Sequence, residues 1–121
     1  MKFLTTYQDL NNRLVELENI KTNSNTLYLL IAGRVESFYK QNAFDIKQLK
    51  DGVSNLFDKH VEKNDPTEIA EKGVYKFQKI TGEINGVPHE QTHPVYIDAE
   101  HDAQYKKEYD ALMKTQFMLI I

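Results

Sequence analysis

The longest apolar run in the chain is Leu27-Tyr28-Leu29-Leu30-Ile31-Ala32, and Val35, Phe38 and Tyr39 extend it at helical spacing. A helix apolar around most of its girth needs cover on several sides, so residues 25–39 are predicted to form the central helix. Asn25 or Thr26 is placed to cap its first turn. Ala32 and Gly33 leave a small-residue notch, and Gly33 weakens the helix by about 1 kcal/mol. Upstream, Phe3, Tyr7, Leu10, Leu14 and Leu17 alternate at intervals of four and three residues. That is the seam of a helix lying along a neighbour at a shallow angle. Thr22-Asn-Ser-Asn25 interrupts the two patterns with polar residues, which predicts an antiparallel helical hairpin.

Asp45 is placed to cap a third helix with Ile46, Leu49, Val53, Leu56, Phe57 and Val61 on one broad face, running through Gly52 to about Lys63. Asp65, Pro66 and Glu68 then give the start signal of a short helix that Gly73 stops. The pattern changes here. Val74 to Ile80 is rich in aromatic and β-branched residues and reads as a strand. Asn85-Gly86, between Ile84 and Val87, predicts a tight hairpin turn. Pro88 and Pro94 bracket a polar stretch expected to be a loop, with Pro94 to Ile97 a short edge strand. Asp98 is placed to cap a final helix to about Thr115, with Tyr105, Tyr109, Leu112 and Met113 turned to the core. Phe117 to Ile121 reads as the last strand.

These elements predict a single α+β domain over residues 1–121, with three to four helices packed on a small, mainly antiparallel sheet. Residues 1–72 form its helical part, and residues 73–121 its strand-turn-strand-helix-strand part.

Composition narrows the chemistry. The 121 residues include no cysteine, which excludes a disulfide framework, a thiolate metal site and a cysteine nucleophile. A net charge of −3 with both signs interspersed implies no basic surface for nucleic acid or for an anionic membrane. No apolar run approaches the ~20 residues of a membrane span. Only two apolar residues follow Lys2 before Thr5, too few for the apolar core of a signal peptide.

One motif carries sharp chemistry. His89-Glu90-Gln91-Thr92-His93 fits H-E-x-x-H, the spacing that brings two histidines on one helical face to a zinc ion, with the glutamate activating its water. The flanking prolines oppose a helix here, because Pro94 disfavours the α conformation at His93. No third ligand is fixed by spacing, although Glu100, His101 and Glu108 follow. The expectation is a solvated loop with diverging histidines, no catalytic residues and no metal or other cofactor. A small zinc-dependent hydrolase using His89, Glu90 and His93 is the enzymatic alternative.

The C-terminal part carries a resemblance. Asn85-Gly86, a short strand, then Tyr105-Lys-Lys-Glu-Tyr-Asp-Ala-Leu-Met113 and Phe117-Met-Leu-Ile120 follow one another. This succession resembles small phage and prophage proteins that place an "E-N-G" turn before a "K-E-Y-x-x-L-M" helix and an apolar final strand. Here Ile84 stands where an acid usually precedes Asn-Gly. The resemblance covers residues 74–121 and implies a phage-encoded product of virion-structure and assembly gene clusters. It assigns no functional residue.

The candidate interaction residues are Phe117, Met118, Leu119, Ile120 and Ile121. Alternation places Phe117, Leu119 and Ile121 on one face of a strand and Met118 and Ile120 on the other. Apolar residues on both faces ask for cover on both, one side from the helices and one from a further element or chain. The expected function is therefore a non-enzymatic phage structural or assembly protein acting through protein–protein contacts. It is expected to be homo-oligomeric or embedded in a particle, with itself, other virion proteins or host proteins as partners. A phage-encoded inhibitor of a host defence protein is the alternative binding role. The expected location is the host cytoplasm or the virion, with no nucleic-acid or membrane partner.

Overall fold

The computed structural model describes residues 1–121. It has the order β1 (Lys2–Thr6), α1 (Tyr7–Asn23), α2 (Asn25–Gln41), α3 (Ala43–His60), α4 (Ile69–Lys72), β2 (Phe77–Ile84), β3 (Val87–Pro94), α5 (Ala99–Met113) and β4 (Gln116–Ile120). The class is α+β, with two separate antiparallel sheets of two strands each. The chain divides into two compact units, Met1–Val53 with Tyr109–Ile121, and Ser54–Glu108. The change of sequence pattern after Lys72 lies inside the second unit.

The first unit is closed by its two ends. β1 pairs antiparallel with β4, Phe3 opposite Leu119 and Thr5 opposite Phe117. The ladder continues to the last residues, where Met1 and Ile121 exchange backbone hydrogen bonds of 2.8 and 2.9 Å. Phe3 was expected on the first helix. That helix begins only at Tyr7, because pairing with a strand more than a hundred residues away takes Lys2–Thr6 into a ladder. Thr6 then caps α1 by accepting the Asp9 N–H, and Asp9 lies where the helix dipole favours an acid.

One face of the sheet meets the core. Leu119, Leu10, Leu49, Met113, Ile46, Tyr7 and Phe117 form a single buried cluster. The Tyr7 and Phe117 rings lie 5.2 Å apart, and the Tyr7 hydroxyl donates to Asp45 at 3.1 Å. Asp45 thus serves this bond in the first turn of α3, and burial followed by Asp45 pushes the Tyr7 hydroxyl pKa upward. Gly52 lies where an added Cβ would come within 3.0 Å of the Leu112 methyl carbons. Its absence of side chain lets α3 and α5 approach closely, so a glycine within a helix is tolerated here.

A buried amide joins the helices to the sheet. Asn42, in the single-residue link between α2 and α3, is 2% exposed. Its Nδ2 donates to the Ile120 carbonyl at 2.8 Å and to the Phe38 carbonyl at 3.0 Å. Its Oδ1 accepts the Ile120 N–H at 2.9 Å. The side chain therefore bonds the free edge of β4 as a neighbouring strand would, and it uses both donors and its acceptor.

The helical hairpin forms as the polar break at residues 22–25 predicts, with Ser24 between α1 and α2. The position of α2 does not follow the expectation. Val35 is its only buried residue, while Leu29 and Leu30 are 67% and 79% exposed. α2 packs along α1, and its Phe38 and Tyr39 reach the core cluster, so only part of its girth is covered. Apolarity all round measured what α2 could bury, not what it does bury.

In the second unit, backbone bonds from the segment after α3 hold the foot of the β2–β3 hairpin. Glu62 donates its N–H to the Val95 carbonyl and accepts the Lys76 N–H, both at 2.8 Å. Buried Asn64 donates from Nδ2 to the Gly73 and Tyr75 carbonyls at 3.0 Å each. Asp65 does not cap a helix at Pro66. Its carboxylate accepts the Thr67 N–H and hydroxyl in a turn, which holds it below its ordinary pKa, and α4 begins at Ile69. Gly73, with φ of 84°, ends α4 in the left-handed region that glycine favours. Asp98 caps α5 by accepting the His101 N–H at 2.8 Å.

Replacing Asn42 by alanine strands both Ile120 backbone groups, so Asn42→Ala is expected to destabilise by about 2–4 kcal/mol. Leu30→Ala, on an exposed ridge, should stay within about 0.5 kcal/mol. Denaturant unfolding midpoints of the two variants check the contrast.

Candidate functional site

The tail residues divide between core and surface. Phe117 and Leu119 are buried at 9% and 0% exposure, Ile120 is half-buried, and Met118 and Ile121 are exposed. The expected alternation holds, and two of the five candidate residues, Phe117 and Leu119, lie in the monomer's own core. Met118 pairs with Leu4 in the ladder, and both are exposed on the outer face of the sheet. The first neighbour of β4 is the chain's own β1, a strand that sequence reasoning missed.

His89, Glu90 and His93 lie in β3, not in a loop. Pairing with β2 draws the proline-bracketed stretch into a ladder, Glu83 opposite Pro88 and Phe77 opposite Pro94. Each proline therefore faces an end of the hairpin, where a missing N–H is least costly. Histidines four apart on a strand share a face but stand about 13 Å apart along it, too far to meet at one ion. Glu90 points to the opposite face and pairs with Lys79 at 3.4 Å. No group of three or more His, Asp or Glu side chains is placed to hold a metal ion.

What the motif belongs to is an arm. Asn85, at φ 54°, and Gly86, at φ 78°, form the turn that matches strand twist in two-residue hairpins. Each strand has eight residues, so the hairpin extends about 26 Å. All of β2 and all of β3 but Pro94 are exposed. The cross-strand register separates the faces. One carries Lys79, Thr81, Glu83, Glu90 and Thr92 between Phe77 and Pro94 at its foot and Pro88 near its tip. The other gathers Ile80, Ile84 and Val87 with Gln78, Gln91, His89 and His93. Ile80, Ile84 and Val87 are 47%, 50% and 59% exposed. A two-stranded hairpin with nothing on its apolar face is marginal in water and leaves both edges open.

The base of the arm rests on aromatic and charged groups. Phe57 meets the rings of Tyr75, Phe77 and Tyr105 at 5.3, 6.1 and 5.7 Å. The Tyr75 hydroxyl donates to Asp58, and this bond leads the causes that raise its pKa. Beside this cluster, His60 is 2% exposed. Its Nε2 meets Glu108 at 2.5 Å, and its Nδ1 meets His101 Nδ1 at 2.9 Å. Lys59 donates to the other Glu108 oxygen at 2.8 Å. Hydrogen bonds from Lys59 and then His60 hold the Glu108 carboxyl below its ordinary pKa.

An ionised Glu108 only accepts, so neutral His60 carries its proton on Nε2 and presents a lone pair at Nδ1. His101 then donates from Nδ1. Protonating both rings would set two N–H groups against each other across the 2.9 Å contact. Because His60 points its two nitrogens in opposite directions, the three side chains do not converge on one point. The network ties α3 to α5 within this unit. Only the residue types were visible in the sequence, since forty residues and more separate the partners.

The depressed carboxyl sets a pH dependence. Its stabilisation is present above the ordinary value of 4.5 and is lost as pH falls through the lower folded value. Wild-type stability should therefore decline below about pH 4.5, and Glu108→Gln should flatten that part of the curve. Chemical denaturation at a series of pH values measures the difference.

No protein-family model matches this chain, and no curated protein or solved structure matches it. The chemistry of its own surfaces carries the functional reading.

Proposed function

We propose that this chain is a non-enzymatic structural or assembly protein of phage type that acts through protein–protein contacts, with the β2–β3 hairpin as its contact arm. One observation carries the reading. Two eight-residue strands stand exposed with Ile80, Ile84 and Val87 on one face and no element of the unit over them. Burying apolar surface is worth roughly 25 cal/mol per Å2, so an uncovered face of this kind favours association. The hydrogen bonds at its foot and the ring cluster around Phe57 fix the arm at one end only.

Other surfaces support the same role. Leu29 and Leu30 are exposed on α2, and Leu4 and Met118 are paired, exposed apolar side chains on the outer face of the β1–β4 sheet. The resemblance of residues 74–121 to small phage and prophage proteins from virion-assembly clusters agrees with this role, and the arm lies within that stretch.

The test is a pair of substitutions on the arm. Ile80→Asp and Ile84→Asp change half-exposed side chains of the arm, so each should cost only about 1 kcal/mol of stability. Association should fall, read by light scattering across protein concentration and by capture of virion or host proteins. Variants that keep every association of the wild type would remove the arm from the function. A monomer that holds one host protein through this face would replace assembly by inhibition.

A further inference from the structure

The two long edges of the β2–β3 hairpin are not alike. Its two-residue turn makes Ile84 and Val87 a hydrogen-bonded pair. Pair types alternate from there, so Ile80, Gly82 and Ile84 spend their backbone groups on β3. Lys79, Thr81 and Glu83 aim theirs the other way, at the open edge of β2. On β3 the outward positions are Pro88, Glu90, Thr92 and Pro94. Proline has no N–H, so the β3 edge lacks a donor near both of its ends. β3 therefore presents a blunted edge and β2 an intact one.

The intact edge is complementary to itself. Antiparallel pairing of β2 with a second β2 about Thr81 sets Lys79 of each copy opposite Glu83 of the other. Both side chains lie on the face that carries Thr81, so the charges meet on one side of the new ladder. Glu83 has no ion-pair partner in its own chain, and Lys79 meets only Glu90, at 3.4 Å and largely exposed. On the other face, Ile80 of each copy comes opposite Gly82 of its partner. Nothing lies within 4 Å of a Cβ built at Gly82, so that isoleucine has room. Other registers lose this match. An axis at Lys79 or Glu83 sets like charges opposite, and one at Ile80 or Gly82 leaves both charges unmatched.

We propose that two copies of this chain pair through the β2 edge about a two-fold axis at Thr81, joining two hairpins into one four-stranded sheet. The proposal rests on the reading of the hairpin as a contact arm and names a second copy as its partner. Lys79, Thr81 and Glu83 of both chains then use backbone groups that stand free in a single chain. The contact is isologous, so it closes at two copies. The prolines of β3 stop the sheet from growing at its outer edges. A lone hairpin is marginal in water, and the pairing supplies the further strands that it needs.

Charge reversal and edge blocking test it on the full chain. Lys79→Glu and Glu83→Lys each set like charges opposite, and each alone should weaken self-association at least about tenfold. Mixed in equal amounts, the two variants restore opposite pairs and should recover most of the loss. Thr81→Pro removes the N–H at the centre of the new ladder without touching a bond to β3, and should abolish pairing. Thr92→Pro makes the same change on the β3 edge and should leave pairing intact. Sedimentation over a wide concentration range reads the association, and circular dichroism confirms that each variant is folded. Should Thr81→Pro fail to fold, the charge variants provide the reading. Wild-type protein that stays monomeric at every concentration overturns the proposal, and its capture of virion or host proteins through the arm would keep the contact reading. Single reversals without effect, a mixture no better than its parts, or equal loss in Thr81→Pro and Thr92→Pro also overturn it. Self-association that ignores all of these but is lost in Ile80→Asp overturns edge pairing and leaves the contact arm standing. Self-association that ignores Ile80→Asp as well overturns both.

Discussion

The first unit depends on one primary amide. Asn42 offers the edge of β4 the donor and acceptor that a third strand would have offered, from a link one residue long between two helices. Without it, the Ile120 N–H and carbonyl would lose their partners at a part-buried edge, at a cost of about 1–3 kcal/mol for each group. With it, a sheet of only two strands is held to the helices by directional bonds as well as by Leu119 and Phe117. The same device limits how β4 can be used. Its edge at Ile120 is occupied within the monomer.

The second unit shows the converse balance. Its packed part is a ring cluster around Phe57 and a polar tie through His60, and the long hairpin receives no apolar cover from it. The buried imidazole is satisfied on both nitrogens, so it costs little while Glu108 is ionised. The tie holds α5 against the end of α3, close in sequence to the residues that bond the hairpin foot. The unit is therefore well fixed at its base, while its arm receives no apolar cover from it.

Local signals were legible in the sequence where the physics is local. Asp98 as a cap, Gly73 as a stop, Asn85-Gly86 as a turn and the polar break before α2 all act within a few residues. What depended on distant partners was not legible. Lys2–Thr6 read as the start of a helix because its strand partner lies at the other end of the chain. The Pro88 to Pro94 stretch read as a loop because its polarity and prolines hid a ladder that β2 imposes. Leu27 to Ala32 read as a centre because composition reports the capacity for burial and not the number of neighbours. The tail was half legible: alternation located Phe117 and Leu119 on one face, but not that this face is the monomer's core. Asn42 carries no sequence signal of this kind, because the edge it closes lies at the other end of the chain.

The central claim is that the hairpin stands uncovered in a single chain and is covered when chains meet. Amide hydrogen exchange across protein concentration tests it most directly. In dilute protein, amides of β2 and β3 should exchange far faster than the Ile120 amide held by Asn42. At high concentration they should gain protection while Ile120 stays unchanged. Hairpin amides as slow as Ile120 in dilute protein, or indifferent to concentration, would contradict the account.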